Sequence, residues 1–307
     1  MASRVFPIVG DSLELGYRYQ RYWDQSMANA FFCGELGAGC FLAGLLYHAN
    51  LTMIVGVCIT AILKTYFHLS HMGVPDRSWR AILRPDRSWI SRGAISIVLF
   101  SGAAILHIAL NGFGLLAAMG LDTSAAAQGF ASFIRIAAAA AAIFVMVYHG
   151  FAIADSSAIS FWNTGLMPVS SFSYSFLGGL TLAMNLNPAI TSTAGNSLLP
   201  PAHSASLLLV VVTAIMVLAL LQGANRGSPG AKMSLRLLTR QGPYVKWFFG
   251  LVLIVGFVVP FLLLLGPASR LIDLLIAISV LAGYYTFRSL VFKVGLYDPV
   301  ISFAPES

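Results

Sequence analysis

Few residues of this 307-residue chain can do chemistry, and most of them sit inside apolar runs. Glu35 lies in Phe31-Phe32-Cys33-Gly34-Glu35-Leu36-Gly37-Ala38-Gly39, Lys64 and His68 lie in the next run, and Tyr148 and His149 share a later one. An ionisable side chain in hydrocarbon costs about 2.5–3.5 kcal/mol, so each needs a reason to be there. Glu35 falls roughly 12 Å from the start of its run at 1.5 Å per residue. The second and fourth runs return toward that end, bringing Lys64, His68, Tyr148 and His149 to a similar depth. Glu35, His68, Tyr148 and His149 can exchange protons, and Lys64 adds a fixed charge. The alternative is a buried Glu35–Lys64 ion pair with the histidines bonded to carbonyls. Depth follows from sequence; the direction each side chain faces does not.

The elements that must position these groups follow from composition. Hydrophobic residues make up 58% of the chain and charged residues 9%, whereas soluble domains carry about a quarter charged residues. A bilayer core of about 30 Å needs about 20 apolar residues per helix. Eight stretches qualify, near 27–47, 51–69, 93–117, 131–154, 167–186, 203–223, 246–265 and 271–291. The expected fold is an all-α integral membrane protein of eight transmembrane helices in two four-helix bundles. Residues 1–26 form an interfacial tail without an apolar signal region, 27–154 hold helices 1 to 4, 155–293 hold helices 5 to 8, and 294–307 form a C-terminal tail. Gly34, Gly37, Gly39 and Gly44 in the first run allow close approach of a helix or of a flat ligand. Cys33, Cys40 and Cys58 all lie in apolar segments, without zinc-ligand spacing or a disulfide framework.

The net charge of +7 does not point to nucleic acid, because the basic residues occupy short breaks between apolar runs. Fifteen Lys and Arg fall on the side of the N-terminus, among them Arg18, Arg77, Arg236 and Arg288, against Arg135 and Arg270 on the other. The positive-inside rule then places both termini in the cytoplasm.

The break between the second and third runs is the densest in signal. It reads His68-Leu69-Ser70-His71-Met72-Gly73-Val74-Pro75, and its continuation from Arg77 to Arg92 has five arginines with Trp79 and Trp89. Arginines and tryptophans anchor loops at an interface. Pro75 and Pro85 suggest a more rigid surface cap, able to cover a ligand headgroup or dock an acidic partner.

This segment resembles the helix 2–3 motif of the NrfD/DmsC/polysulfide-reductase family of membrane subunits. His71, Gly73, Pro75, Arg77, Trp79 and Arg80 match its first part, and Ser88 through Arg92 its second. Phe161-Trp162-Asn163-Thr164-Gly165-Leu166-Met167-Pro168-Val169 resembles the element that opens helix 5, and the run around Glu35 resembles the family's glycine-rich first helix. Val74 and Gly93 stand where the family usually has Arg and Glu.

The resemblance implies a quinone-reactive anchor in a bacterial or archaeal cytoplasmic (inner) membrane. It also implies a ferredoxin-like iron–sulfur partner and a molybdopterin catalytic subunit, with menaquinone or ubiquinone as a non-covalent cofactor and no haem. Glu35, His68, His71, Tyr148 and His149 are the expected quinone-binding or proton-transfer residues. Arg77, Trp79, Arg80, Arg87, Trp89 and Arg92 are expected to dock the partner or wall the site. Two other readings compete. A haem-bearing cytochrome would pair His68 with His149 or His48 with His203, and a transporter or channel would use interrupted helices such as the one carrying Pro260.

Overall fold

The structure is a computed structural model that describes residues 17–196 and 199–298. Arg4, Asp11 and Glu14 of the expected tail, and residues 299–307 of the C-terminal tail, lie outside the described residues. The long helices are α1 (Gln25–Leu46), α2 (Asn50–His71), α3 (Trp89–Gly112), α4 (Ala125–Ala154), α5 (Leu166–Leu186), α6 (Ala202–Asn225), α8 (Val245–Leu264) and α9 (Arg270–Lys293), with a shorter α7 (Pro229–Thr239) between α6 and α8. The protein is an all-α membrane protein. Seven of these helices are long and apolar enough to cross a bilayer; α5, with four serines in its first half, falls short on apolarity.

Local chemistry sets the boundaries. Asp24 caps α1 by accepting from the Ser26 and Met27 amides, and Ser88, Ser124, Ser228 and Ser269 cap α3, α4, α7 and α9 in the same way. Such caps satisfy amides that have no partner within the helix. Ser124 starts α4 six residues earlier than hydropathy alone suggests. Gly114, at φ 66°, ends the α3 region short of the expected residue 117. His48, also left-handed at φ 55°, makes the tight turn from α1 to α2. Within α2, residues Ile59–Lys64 are wound as a π-helix, a local unwinding often found at functional sites.

α1 and α5 are the most enclosed helices, and α9 packs against both. The outer helices turn Val98, Leu99, Phe133, Leu208 and Leu262 outward, as lipid permits. α1 and α5 cross at Gly39 and Gly179, where a Cβ on either glycine would overlap the other helix's backbone. Gly37 likewise meets the Gly56 carbonyl of α2, 2.6 Å from where its Cβ would lie. These glycines of the first helix therefore serve helix packing. Outside the bundle, β1 (Arg18–Tyr19) pairs antiparallel with β4 (Leu296–Tyr297), joining the two ends of the described chain. A second short pair, β2 (Ala194–Asn196) with β3 (Leu199–Pro201), closes the α5–α6 connection.

Candidate functional site

Glu35 lies three turns into α1 and is fully buried. Its carboxylate is the centre of a polar cluster drawn from four helices. Arg288 of α9 donates through one guanidinium nitrogen to both carboxylate oxygens, at 2.8 and 2.6 Å, and to Ser171 Oγ of α5 at 3.0 Å. Tyr284, four residues earlier on α9 and so on the same face, donates its hydroxyl to Glu35 Oε2. Ser175 Oγ of α5 donates to the Glu35 backbone carbonyl. The Tyr284 ring stacks on Tyr174 at 4.9 Å and 9°, which fixes its direction.

His149 of α4 brings Nδ1 to 3.9 Å from Glu35 Oε1, although that nitrogen lies nearer the Val145 carbonyl, at 3.1 Å. With Nδ1–H donating to Val145, the neutral ring offers Nε2 as an acceptor, and a protonated ring offers it as a donor. Nε2 is buried and has no partner among the described residues. The ring is held between Phe31, at 4.5 Å, and Tyr148, at 3.8 Å. Gly34 makes this possible, because a Cβ there would stand 2.6 Å from His149 Cε1. Tyr148 in turn fills the space beside Gly93, where any side chain would overlap its ring. The small residue at 93 is thus matched to the phenol.

Lys64 is 5% exposed and makes no ion pair among the described residues. The buried Glu35–Lys64 pair considered from sequence does not form; Arg288 takes that place. Arg288 counted in sequence as a cationic-side surface residue, and it is wholly buried. The second half of the chain is more than a scaffold, since α5 and α9 supply Ser171, Tyr284 and Arg288 to the cluster.

His68 and His71 continue from Lys64 along one side of α2, at spacings of four and three residues. His68 Nδ1 is buried without a partner among the described residues. His71 does not join Glu35. Its Nδ1 is 3.0 Å from Asp24 Oδ1 and 3.4 Å from Ser26 Oγ, at the mouth of α1 and roughly 16 Å along that helix from Glu35. Burial pulls the Asp24 carboxyl upward, but bonds from Ser26 and the Met27 amide, with the His71 imidazole, outweigh it and hold the group below its usual 3.8.

The arginine-rich connection folds as a 3-10 helix over Pro75–Leu83, tied to α3 by Ser91 Oγ donating to the Ala81 carbonyl. Trp89 stacks on Phe151 at 4.6 Å, and Arg92 lies over Trp89 at 4.5 Å while bonding the Pro85 and Asp86 carbonyls. Arg77, Trp79, Arg80 and Arg87 are exposed. They face outward and do not wall the buried cluster.

Of the histidines the cytochrome reading paired near the other face, His203 has protein partners, and His107, which that reading left unpaired, has one as well. His203 Nε2 bonds the Leu264 carbonyl at 3.2 Å, with its Nδ1 3.7 Å from Asp273, and His107 bonds Asn111. Sequence reasoning missed Arg288, Tyr284 and Asp24. The signal for the first two was an arginine inside the apolar stretch Val280–Phe292, and for the third an Asp directly before an apolar run.

None of the curated proteins compared matches the chain. The family model described as polysulphide reductase, NrfD, matches residues 14–297, nearly the whole length, and the chain belongs to that family.

Proposed function

We propose that this protein is the quinone-reactive membrane subunit of a multi-subunit oxidoreductase. It would exchange electrons between the quinone pool and the iron–sulfur clusters of a ferredoxin-like partner that serves a molybdopterin catalytic subunit. Family membership supports the coarser statement, a multi-pass membrane subunit of a polysulphide- or molybdopterin-type reductase. The observation that carries the finer reading is the row of ionisable groups from enclosed Glu35, through His149, Lys64 and His68, to His71 paired with exposed Asp24. Two imidazole nitrogens in that row, His149 Nε2 and His68 Nδ1, are buried with no partner among the described residues. They suit a quinone, whose carbonyl oxygens accept hydrogen bonds and whose reduced hydroxyls donate them.

A bound quinone supplies two-electron, two-proton redox chemistry. The chain's own residues divide the remaining work. His71, 27% exposed beside Asp24, is the imidazole that a headgroup arriving from lipid meets first. His68 and His149 hold or release protons at Nδ1 and Nε2. Arg288 and Tyr284 fix the Glu35 carboxylate beside His149, and Tyr148 and Phe31 hold the imidazole plane. Arg77, Trp79, Arg80 and Arg87 offer a cationic, aromatic surface to the iron–sulfur subunit.

Eight crossings with both termini in the cytoplasm belong to the same reading. The β1–β4 pair supports an even number of crossings, because the segments before α1 and after α9 meet on one face. The test is to purify the intact complex in mild detergent and compare His68→Ala and His149→Ala. Quinone-linked turnover should fall on the order of 100-fold, the usual scale for losing a proton-transfer group, while turnover with a soluble electron donor stays unchanged. Quinone-linked rates equal to wild type in both variants would remove the basis of the proposal.

A further inference from the structure

α7 has two distinct faces. Gly230, Ala231, Ser234, Leu237 and Leu238 are buried against the bundle, and Ser234 Oγ donates to the Val294 carbonyl at 2.7 Å. Lys232, Arg236 and Arg240 follow at four-residue intervals, which stacks them on one outward face, and all three are exposed. They overhang a groove of about 560 Å³ between α7 and the end of α6. Leu218, Leu221 and Leu235 form its apolar wall, and Gln222 and Asn225 its polar margin. Leu218 is 58% exposed on a helix that is apolar enough to span the bilayer, so this wall faces lipid.

No carboxylate pairs with any of the three cations among the described residues. Asp298, the acidic group bound to α7, is taken up at the start of the helix, accepting from Ser228 and the Gly230 amide, a full helix length from Arg236 and Arg240 at its other end, and among the described residues it forms no ion pair with Lys232. The other basic surface differs. There Arg87 pairs with Asp86, Arg92 bonds two carbonyls and lies over Trp89, and Arg80 lies over Trp79. Cations left without partners, above an apolar wall at the bilayer edge, define a site for a ligand with one anionic and one apolar end.

We propose that this groove binds an anionic phospholipid. The phosphodiester sits among Lys232, Arg236 and Arg240, and the acyl chains descend along Leu218 and Leu221. Guanidinium groups engage phosphate oxygens in pairs, which sets the sign and geometry of the headgroup. The leucine wall on a membrane-spanning helix favours a lipid over free phosphate, and its exposure at the level of the bilayer favours a lipid over a water-soluble partner.

The test uses the full chain in its detergent-purified complex, placed in nanodiscs of phosphatidylcholine doped with phosphatidylglycerol or cardiolipin and read by native mass spectrometry. Both anionic lipids should be retained in preference to phosphatidylcholine. Each charge removed should weaken retention roughly fivefold, so Lys232→Gln/Arg236→Gln/Arg240→Gln should lose on the order of 100-fold. Arg236→Lys/Arg240→Lys should keep most of the preference and the wild-type melting temperature. The proposal is overturned by equal retention of zwitterionic and anionic lipid, or by a triple variant that binds as wild type. Displacement by inorganic phosphate would make the groove a free-anion site. A triple variant that keeps its lipid but sheds a partner subunit would make it a protein interface.

Discussion

Arg288 and Glu35 allow structure and chemistry to be separated by mutation. Both are fully buried, and the guanidinium uses one nitrogen for the carboxylate while its Nε and other terminal nitrogen have no partner among the described residues. Arg288→Ala would leave an uncompensated carboxylate inside the bundle, a change that costs about 3–5 kcal/mol. For a chain of this size that corresponds to a drop in melting temperature on the order of 10 °C. The double variant Glu35→Gln/Arg288→Met removes both charges at similar volume, and such replacements of buried pairs are neutral or stabilising. Its melting temperature should return to near wild type, since the incomplete bonding of Arg288 means that the native pair offsets little of its own desolvation. Quinone-linked turnover of the double variant should stay low, because the amide that replaces the Glu35 carboxylate cannot exchange protons. The assays are thermal unfolding by intrinsic fluorescence in detergent and turnover with a quinol analogue. The reasoning fails if Arg288→Ala melts within a degree or two of wild type, or if the double variant melts as low as the single.

Three further outcomes are expected. Asp24→Ala should destabilise the protein by about 1 kcal/mol through loss of the α1 cap. Because the folded carboxyl titrates below its usual 3.8, this contribution is complete above that pH and is lost as pH falls through the folded value, so wild type and variant should converge in acid unfolding. Gly179→Ala would drive a methyl group into the α1 backbone at Gly39, and should cost about 1–3 kcal/mol or more, read as lost yield of folded protein. In a Cys58→Ser background, Ser157→Cys and Ala189→Cys should label from opposite sides of the membrane, as a crossing by α5 requires; labelling from one side would leave seven crossings.

Much of the architecture was legible because hydrocarbon filters sequence residue by residue. The stretches near 51–69 and 203–223 lie within helices Asn50–His71 and Ala202–Asn225. Glu35 and His149 stood out for the same reason, as polar groups in apolar runs. Arg288 did not, because its distance from a helix end placed it at the interface, while its contacts depend on the angular position of α9 about its axis. That angle is set by packing such as Gly283 against Gly256, where the backbones nearly touch. The π-helical turns in α2 have no compositional mark, yet they fix the angular positions of Lys64 and His68. His71 matched a motif, but its neighbour Asp24 lay in a stretch read only as tail.

The two halves of the central ion pair are made at very different times. Glu35 enters the bilayer on the first helix, whereas Arg288 is 253 positions later in the chain. At ribosomal speeds of about 5–20 residues per second, that is a wait of roughly 10–50 s. During this interval the nascent protein carries an acidic group into the membrane with its guanidinium partner not yet synthesised. Any chain cut short before the last helix is therefore left with that group unpaired, which gives the cell a chemical mark by which unfinished copies differ from finished ones.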